Sequence, residues 1–198
     1  MRGTADLRDL CRQSAAVVGS RAATAYGRHM CAEIVAGLSA SGFAIVSGGA
    51  YGIDAAAHRA ALACSGRTVA VLACGPDLAY PREHVGLLDD IASHGAVVSE
   101  YPPGTPPARH RLLARNRVIA ALTRGTLVVE AAPRSGTLVT AQRASELGRP
   151  VLAVPGPVTS ATSAGCHLLI RAGQAVLVTS AAEAASYLPS GSTPGDGR

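Results

Sequence analysis

A doubly wound α/β domain, with a mainly parallel sheet and helices on both faces, is the fold class this chain predicts. Three observations predict it. Short apolar runs alternate with longer alanine-rich amphipathic segments over most of the 198 residues. The runs are apolar at nearly every position, as strands covered on both faces are. Their order, strand then helix throughout, suits parallel crossovers rather than hairpins.

The elements follow in order. "SAAVVG" (14–19) is the first strand, and the alanine-rich stretch at about 25–41 the helix after it. "FAIVSG" (43–48) leads into a helix at 53–64 that an acidic residue opens, and "RTVAVLAC" (67–74) into an amphipathic helix at 83–94. "GAVVSE" (95–100) precedes a helix at 114–123, and "GTLVVEA" (125–131) one at 136–147. "PVLAVPG" (150–156), a helix at 165–172 and "QAVLV" (174–178) complete the series. Residues 1–13 are assigned to an N-terminal extension, 14–188 to the core domain and the Pro/Gly/Ser-rich 189–198 to a flexible tail.

Composition narrows the function. Hydrophobic residues make up 48% and charged ones 16%, so the chain has ample core. All 18 basic residues are arginine, and the net charge of +5 invites polyanions. Five cysteines, widely spaced with no C-x-x-C, argue against zinc or a disulfide framework. No apolar run reaches the ~18 residues of a membrane span, and "MRGTADLRDLCRQ" lacks a signal-peptide core, so a cytoplasmic location is expected. The first strand-to-helix turn carries only Gly19 and Gly27 and fails the dinucleotide fingerprint, while a chain without lysine has no P-loop. Neither cofactor nor metal is expected.

In such sheets ligands sit beyond the carboxyl ends of the strands, where helix N-termini present backbone N–H groups. The first turn offers Gly19, Ser20 and Arg21, whose guanidinium beside a helix start suits a phosphate. "SGGAYGIDAAAH" offers Ser47, Gly48, Gly49 and Gly52, glycines that would let a ligand approach the backbone. Asp54 is read as that helix's cap, and His58 as a packed or hydrogen-bonded side chain rather than its acid/base partner. "ARHRLLARNRVIAAL" carries Arg109, Arg111, Arg115, Asn116 and Arg117. On a helix Arg115 and Arg117 point about 200° apart, so one is expected on phosphate and the other buried against Glu100 or Glu130. "EAAPRSGTLVTA" adds Ser135, Gly136 and Thr137, a further anion nest, with Glu130 in a structural role. Such nests on one sheet edge suit a ligand with several phosphates.

Taken together, "VVGSRAATAYG", "SGGAYGIDAAAH", "YPREH", "SEYPPG", "ARNRVIAAL", "EAAPRSGTLVTAQRASELGRPVLAVPG" and "LLIRAG" resemble the DNA-processing protein A family (DprA, also called Smf) over residues 6 to 180. The resemblance implies a Rossmann-like core that binds single-stranded DNA and forms homodimers. It implies protection of incoming DNA and help in loading a RecA-type recombinase, chiefly in natural transformation. It places Arg21, the Ser47–Gly52 loop, Arg115 to Arg117 and Ser135 to Thr137 along the family's DNA groove. The chain departs from the pattern at Leu112, where Phe is common, and at His167, where Asn is usual. Leucine supplies no π-face for a base.

Two other readings compete. Related phosphoribohydrolases cleave nucleoside monophosphates with a P-G-G-x-G-T-x-x-E motif, but here Thr140 stands where the catalytic Glu would be. A protein-interaction scaffold with a vestigial groove is the other. The residues favour a binding protein over an enzyme.

Overall fold

The computed structural model describes residues 1–189; the remainder of the proposed tail, 190–198, lies outside the described residues. The strands are β1 (Arg2–Gly3), β2 (Ser14–Val18), β3 (Ala44–Ser47), β4 (Thr68–Leu72), β5 (Ala96–Ser99), β6 (Thr126–Val128), β7 (Val151–Ala153) and β8 (Val176–Leu177). The helices are α1 (Leu7–Arg12), α2 (Ala25–Ala40), α3 (Ile53–Ala63), α4 (Val85–His94), α5 (Arg109–Leu122), α6 (Gly136–Glu146), α7 (Ala164–Arg171) and α8 (Ala181–Tyr187). They build one sheet in the order β1-β5-β4-β3-β2-β6-β7-β8. Every pair is parallel except β1 on β5, where Arg2 and Gly3 oppose Val97 and Ala96. The mainly parallel α/β fold read from the sequence is the fold observed.

Alternation along the strands sorts the core into two layers. From β2, Ala16 and Val18 join Val46, Val71, Ile119 and Ala141 on one face. Ala15 and Val17 join Ile34, Ile45, Leu127 and Leu152 on the other. Each layer removes apolar strand surface from water at roughly 25 cal/mol per Å², which is why both faces of each strand are apolar. The Thr24 hydroxyl caps α2 by accepting from the Gly27 N–H at 3.0 Å.

Four elements differ from the sequence reading. α5 begins at Arg109 rather than near 114, directly after the Pro106-Pro107 pair ends the extended segment. β1 and α1 lie within residues 1–13, and Leu10 is buried in the core. α8 carries a Ser180 cap and buries Ala184, a short pattern that alanine content alone does not signal. Asp54 does not cap α3. Gly52 occupies the cap at φ +77°, and Asp54, in the first turn, accepts from the Ala50 N–H at 3.3 Å instead. Among the described residues no helix is long and apolar enough to cross a membrane, and no group of His, Cys, Asp or Glu is placed to hold a metal. All five cysteines are free, and burial pushes the Cys31 and Cys166 thiols up to about 12, far from thiolate chemistry.

His58, in α3, is fully buried and packed as expected. Its Nδ1 lies 2.7 Å from Thr68 Oγ1, and that hydroxyl donates its proton to the Ile45 carbonyl at 2.8 Å. Nδ1–H must therefore be the donor, which leaves Nε2 buried and unpartnered. Burial, then the nearby Arg115 charge, lowers its pKa to about 3. The unfolded chain takes up this proton near pH 6.5 and the folded chain only near 3. The contribution to stability is therefore present above pH 6.5 and lost as pH falls between those values. Comparing urea unfolding of the parent with His58→Gln isolates it: between pH 6 and 4 the parent should lose about 1.4 kcal/mol per pH unit more than the variant. Equal slopes would show that His58 is not held neutral.

Candidate functional site

The strand order reverses around β2. β3, β4 and β5 extend to one side of it, and α5 carries the chain back to place β6 on the other. Loops after β2 and β6 therefore diverge at their carboxyl ends and leave a crevice there, the position at which open α/β sheets take ligands. The crevice is a groove of about 910 Å³, lined by Gly19–Ala22, the start of α5 and the start of α6. A second lobe of about 660 Å³ adjoins it and shares Arg21, Ala50, Tyr80, Pro107, Leu112 and Arg115.

The walls are held to one another. Thr137 Oγ1 donates to the Gly19 carbonyl at 3.0 Å, joining the β6 loop to the β2 loop. Asn116 Nδ2 donates to the Gly136 carbonyl at 3.0 Å, fixing the first turn of α6 against α5. Among the described residues the Gly136 and Thr137 amides have no backbone acceptor, and the Ser135 hydroxyl oxygen is buried without a partner. An unsatisfied helix start of this kind favours an anion. Arg21, Arg109 and Arg134 line the same groove, all exposed, and none makes an ion pair among the described residues.

Of the residues singled out in the sequence, Gly19, Ser20, Arg21, Arg109, Arg115, Asn116, Ser135, Gly136 and Thr137 come together around this groove. The others do not. Ser47 is fully buried and donates to the Val17 carbonyl at 2.6 Å. Arg111 donates to the Pro106 carbonyl and lies 5.2 Å over the Tyr101 ring. Arg117 pairs with both oxygens of Glu100 at 2.8 Å. That pair is at the surface, so the expectation of one arginine on phosphate and the other buried against a carboxylate needs correcting. Arg115 is the buried one, 5% exposed, and its partners are carbonyls: Gly48 O at 2.5 Å and Val71 O. The two side chains diverge as the helix period requires, but Glu130 is occupied elsewhere. Its carboxylate accepts from Thr24 N–H at 3.0 Å, Thr24 Oγ1 at 2.6 Å and Thr162 Oγ1 at 3.1 Å.

The glycines of "SGGAYG" have protein neighbours of their own. A Cβ at Gly48 would collide with the Arg115 guanidinium, and one at Gly52 with the Ser20 and Arg21 carbonyls. Gly49 has φ +73° and is buried, so it serves the turn. The close approach these residues permit is made by the protein itself. Asp54, at the groove floor, has its carboxyl raised by burial and lowered in part by Arg115. His167 answers for its own departure: its Nε2 contacts the Gly156 carbonyl at 3.0 Å. The sequence reading used "YPREH" only for the resemblance and did not place Tyr80 at the groove.

Gly48→Ala should therefore act on the fold before it acts on any ligand. Displacing a buried guanidinium costs about 1–3 kcal/mol of overpacking, at roughly 2–4 °C per kcal/mol for a domain of this size. Thermal melting should show a fall of about 2–12 °C, and an unchanged midpoint would contradict the Arg115 contact.

Comparison with known proteins places this geometry. A family profile described as DNA recombination-mediator protein A matches residues 1–189. A relative from Mycobacterium tuberculosis is 58% identical over 186 residues, 94% of this chain and 48% of its own length. The chain thus spans about half of that relative. The crystal structure of DNA processing protein A from Streptococcus pneumoniae superposes with a TM-score of 0.90 at 44% identity, covering 95% of this chain and 65% of that one. DNA processing protein A from Helicobacter pylori, described for its single-stranded DNA binding mode, gives 0.85 at 28% identity over 93% of this chain and 83% of that one.

Proposed function

The chain belongs to the DNA recombination-mediator protein A family, and from that premise we propose that its groove binds single-stranded DNA through backbone phosphates. The observation that carries the reading is the pairing of three exposed, carboxylate-free arginines with the open amides at the start of α6. Guanidinium and helix amides together recognise phosphate oxygens and ignore base identity. A groove open along the sheet edge suits a chain of phosphates. The Helicobacter pylori relative, which binds single-stranded DNA, supports the same assignment. In this reading Arg21, Arg109 and Arg134 contact phosphates. Gly19, Ser20, Ser135, Gly136 and Thr137 supply the backbone wall, while Arg115 and Asn116 hold that wall in place.

The reading extends to the wider role of the family, in which a homodimer shields incoming DNA and helps a RecA-type recombinase onto it. No catalytic step is assigned. Thr140, where a phosphoribohydrolase would carry its Glu, is 1% exposed and offers no carboxylate. The carboxylate that lines the groove, Asp54, accepts from the Ala50 N–H. Release of a base from adenosine monophosphate by the purified protein would reverse this assignment.

Fluorescence anisotropy with a short labelled oligonucleotide tests the binding. With three arginine contacts, log K should fall against log salt with a slope near −2, at ~0.7 per contact on single strands. Arg21→Ala should weaken every sequence alike, reduce the slope by about 0.7 and leave the melting temperature unchanged. A salt-independent affinity, or tighter binding to duplex, would overturn the proposal.

A further inference from the structure

The positive surface does not end at the rim of the groove. Arg21 and Ala22, which line it, also border a hollow of about 680 Å³ that carries Arg28 from α2 and Arg59 from α3. Those two helices pack on the sheet face that holds Ala15 and Val17, whereas α5 and α6 pack on the face that holds Ala16 and Val18. The hollow therefore lies across the strand ends from the groove, with Arg21 common to both. No acidic residue lines it. Arg28 and Arg59 are exposed, and neither makes an ion pair among the described residues. Glu83 and Asp90 share the next hollow with Arg59 without pairing with it, and the Glu83 carboxylate accepts from the Tyr51 hydroxyl at 2.5 Å. Arg28 is the fourth residue of α2, whose first turn has no acidic residue, and a cation there opposes the helix dipole. Its guanidinium donates to the Ala23 carbonyl at 2.6 Å, which holds it at the start of the helix. An anion above this end of α2 would offset both charges.

Resting on the reading of the groove as a single-stranded DNA site, we propose that Arg28 and Arg59 form a second run of phosphate contacts, which takes the same strand as it passes Arg21 and leaves the groove over α2 and α3. Two features choose this occupant. The hollow is continuous with the groove through Arg21 and Ala22, so a chain of phosphates held in one is led into the other. Its floor is made of small residues, Ala22, Ala23, Gly52 and Ala56, with the arginines beside them. A sugar-phosphate backbone can lie close against such a floor, and the guanidinium groups meet its phosphates without reading a base. The strand then covers more of the protein than the groove alone, and the added contacts are electrostatic.

The experiment reads the salt dependence of binding against strand length, with labelled oligothymidylates from four to twenty nucleotides. A long strand can bind in more registers, which raises its affinity without changing its salt slope, so the slope is the measure. The shortest strands should give a slope near −2, from three arginine contacts, and the longest about −3.5, from five, at ~0.7 per contact. Arg28→Ala combined with Arg59→Ala should leave the shortest strand unaffected and hold every length near a slope of about −2. On the longest strand the parent's advantage over this variant should shrink about sevenfold between about 0.05 and about 0.2 M salt. Arg28→Lys combined with Arg59→Lys, which keeps both charges, should keep the steeper slope. A parent slope independent of length, or a long-strand slope that survives loss of both arginines, overturns the second run and leaves the groove standing. Binding of no strand at any length, or binding indifferent to Arg21→Ala, overturns the groove itself. Should Arg28→Ala lose stability along with its Ala23 contact, Arg59→Ala alone carries the test, since that exposed side chain has no ion pair to lose. Its long-strand slope should fall by about 0.7 with the short-strand slope unchanged, and an unchanged long-strand slope rejects the proposal.

Discussion

The buried guanidinium of Arg115 is the interaction on which the site depends. It rises from α5 beneath the glycine loop and donates to the carbonyls of Gly48 and Val71, at the ends of two neighbouring strands. Strand ends leave carbonyls that no further residue pairs, and burying them unpaired costs about 1–3 kcal/mol each. One cation with several fixed donors meets both needs, which lysine, with a compact ammonium, does less well. Asp54 beside it offsets part of the cost of burying the charge. The arrangement requires that nothing project from position 48, so the glycine and the arginine are a single structural unit.

That unit joins the sheet to the crossover. α5 is the segment that returns the chain across the sheet, from β5 at one side to β6 beside β2. Arg115 secures its early turns to β3 and β4, and Asn116, the next residue, secures the start of α6. Adjacent residues on one helix thus set the floor and one wall of the groove. Thr137 on Gly19 closes the other side. The loops that face the ligand are tied by side chains whose own ends are buried or hydrogen-bonded, so little order remains to be gained on binding.

Much of this was legible from residues. The all-apolar strands announced a covered parallel sheet, and the turns after them contained most of the groove's lining. What the sequence did not disclose has particular causes. Arg115 and Arg117 look alike in the chain, and helical period shows that they part without showing which turns inward. Glycines that serve a ligand and glycines that serve a neighbouring guanidinium are written identically, so Gly48 was legible as a close approach and its visitor was not. α1 and α8 are short helices whose apolar faces need partners distant in the chain, so no local period reveals them. Tyr80 stands in an irregular loop after β4, where no pattern connects it to Arg21.

The four cations lining the groove, Arg21, Arg109, Arg115 and Arg134, are all guanidinium, in a chain that has no lysine anywhere. A guanidinium holds its proton throughout the physiological range and well beyond it. The positive charge these arginines present is therefore constant over that range. It is equally closed to acylation, the modification by which lysine-rich polyanion sites are switched off. On the proposed reading, ionic strength and competing strands set the occupancy, and lysine acylation has no target there.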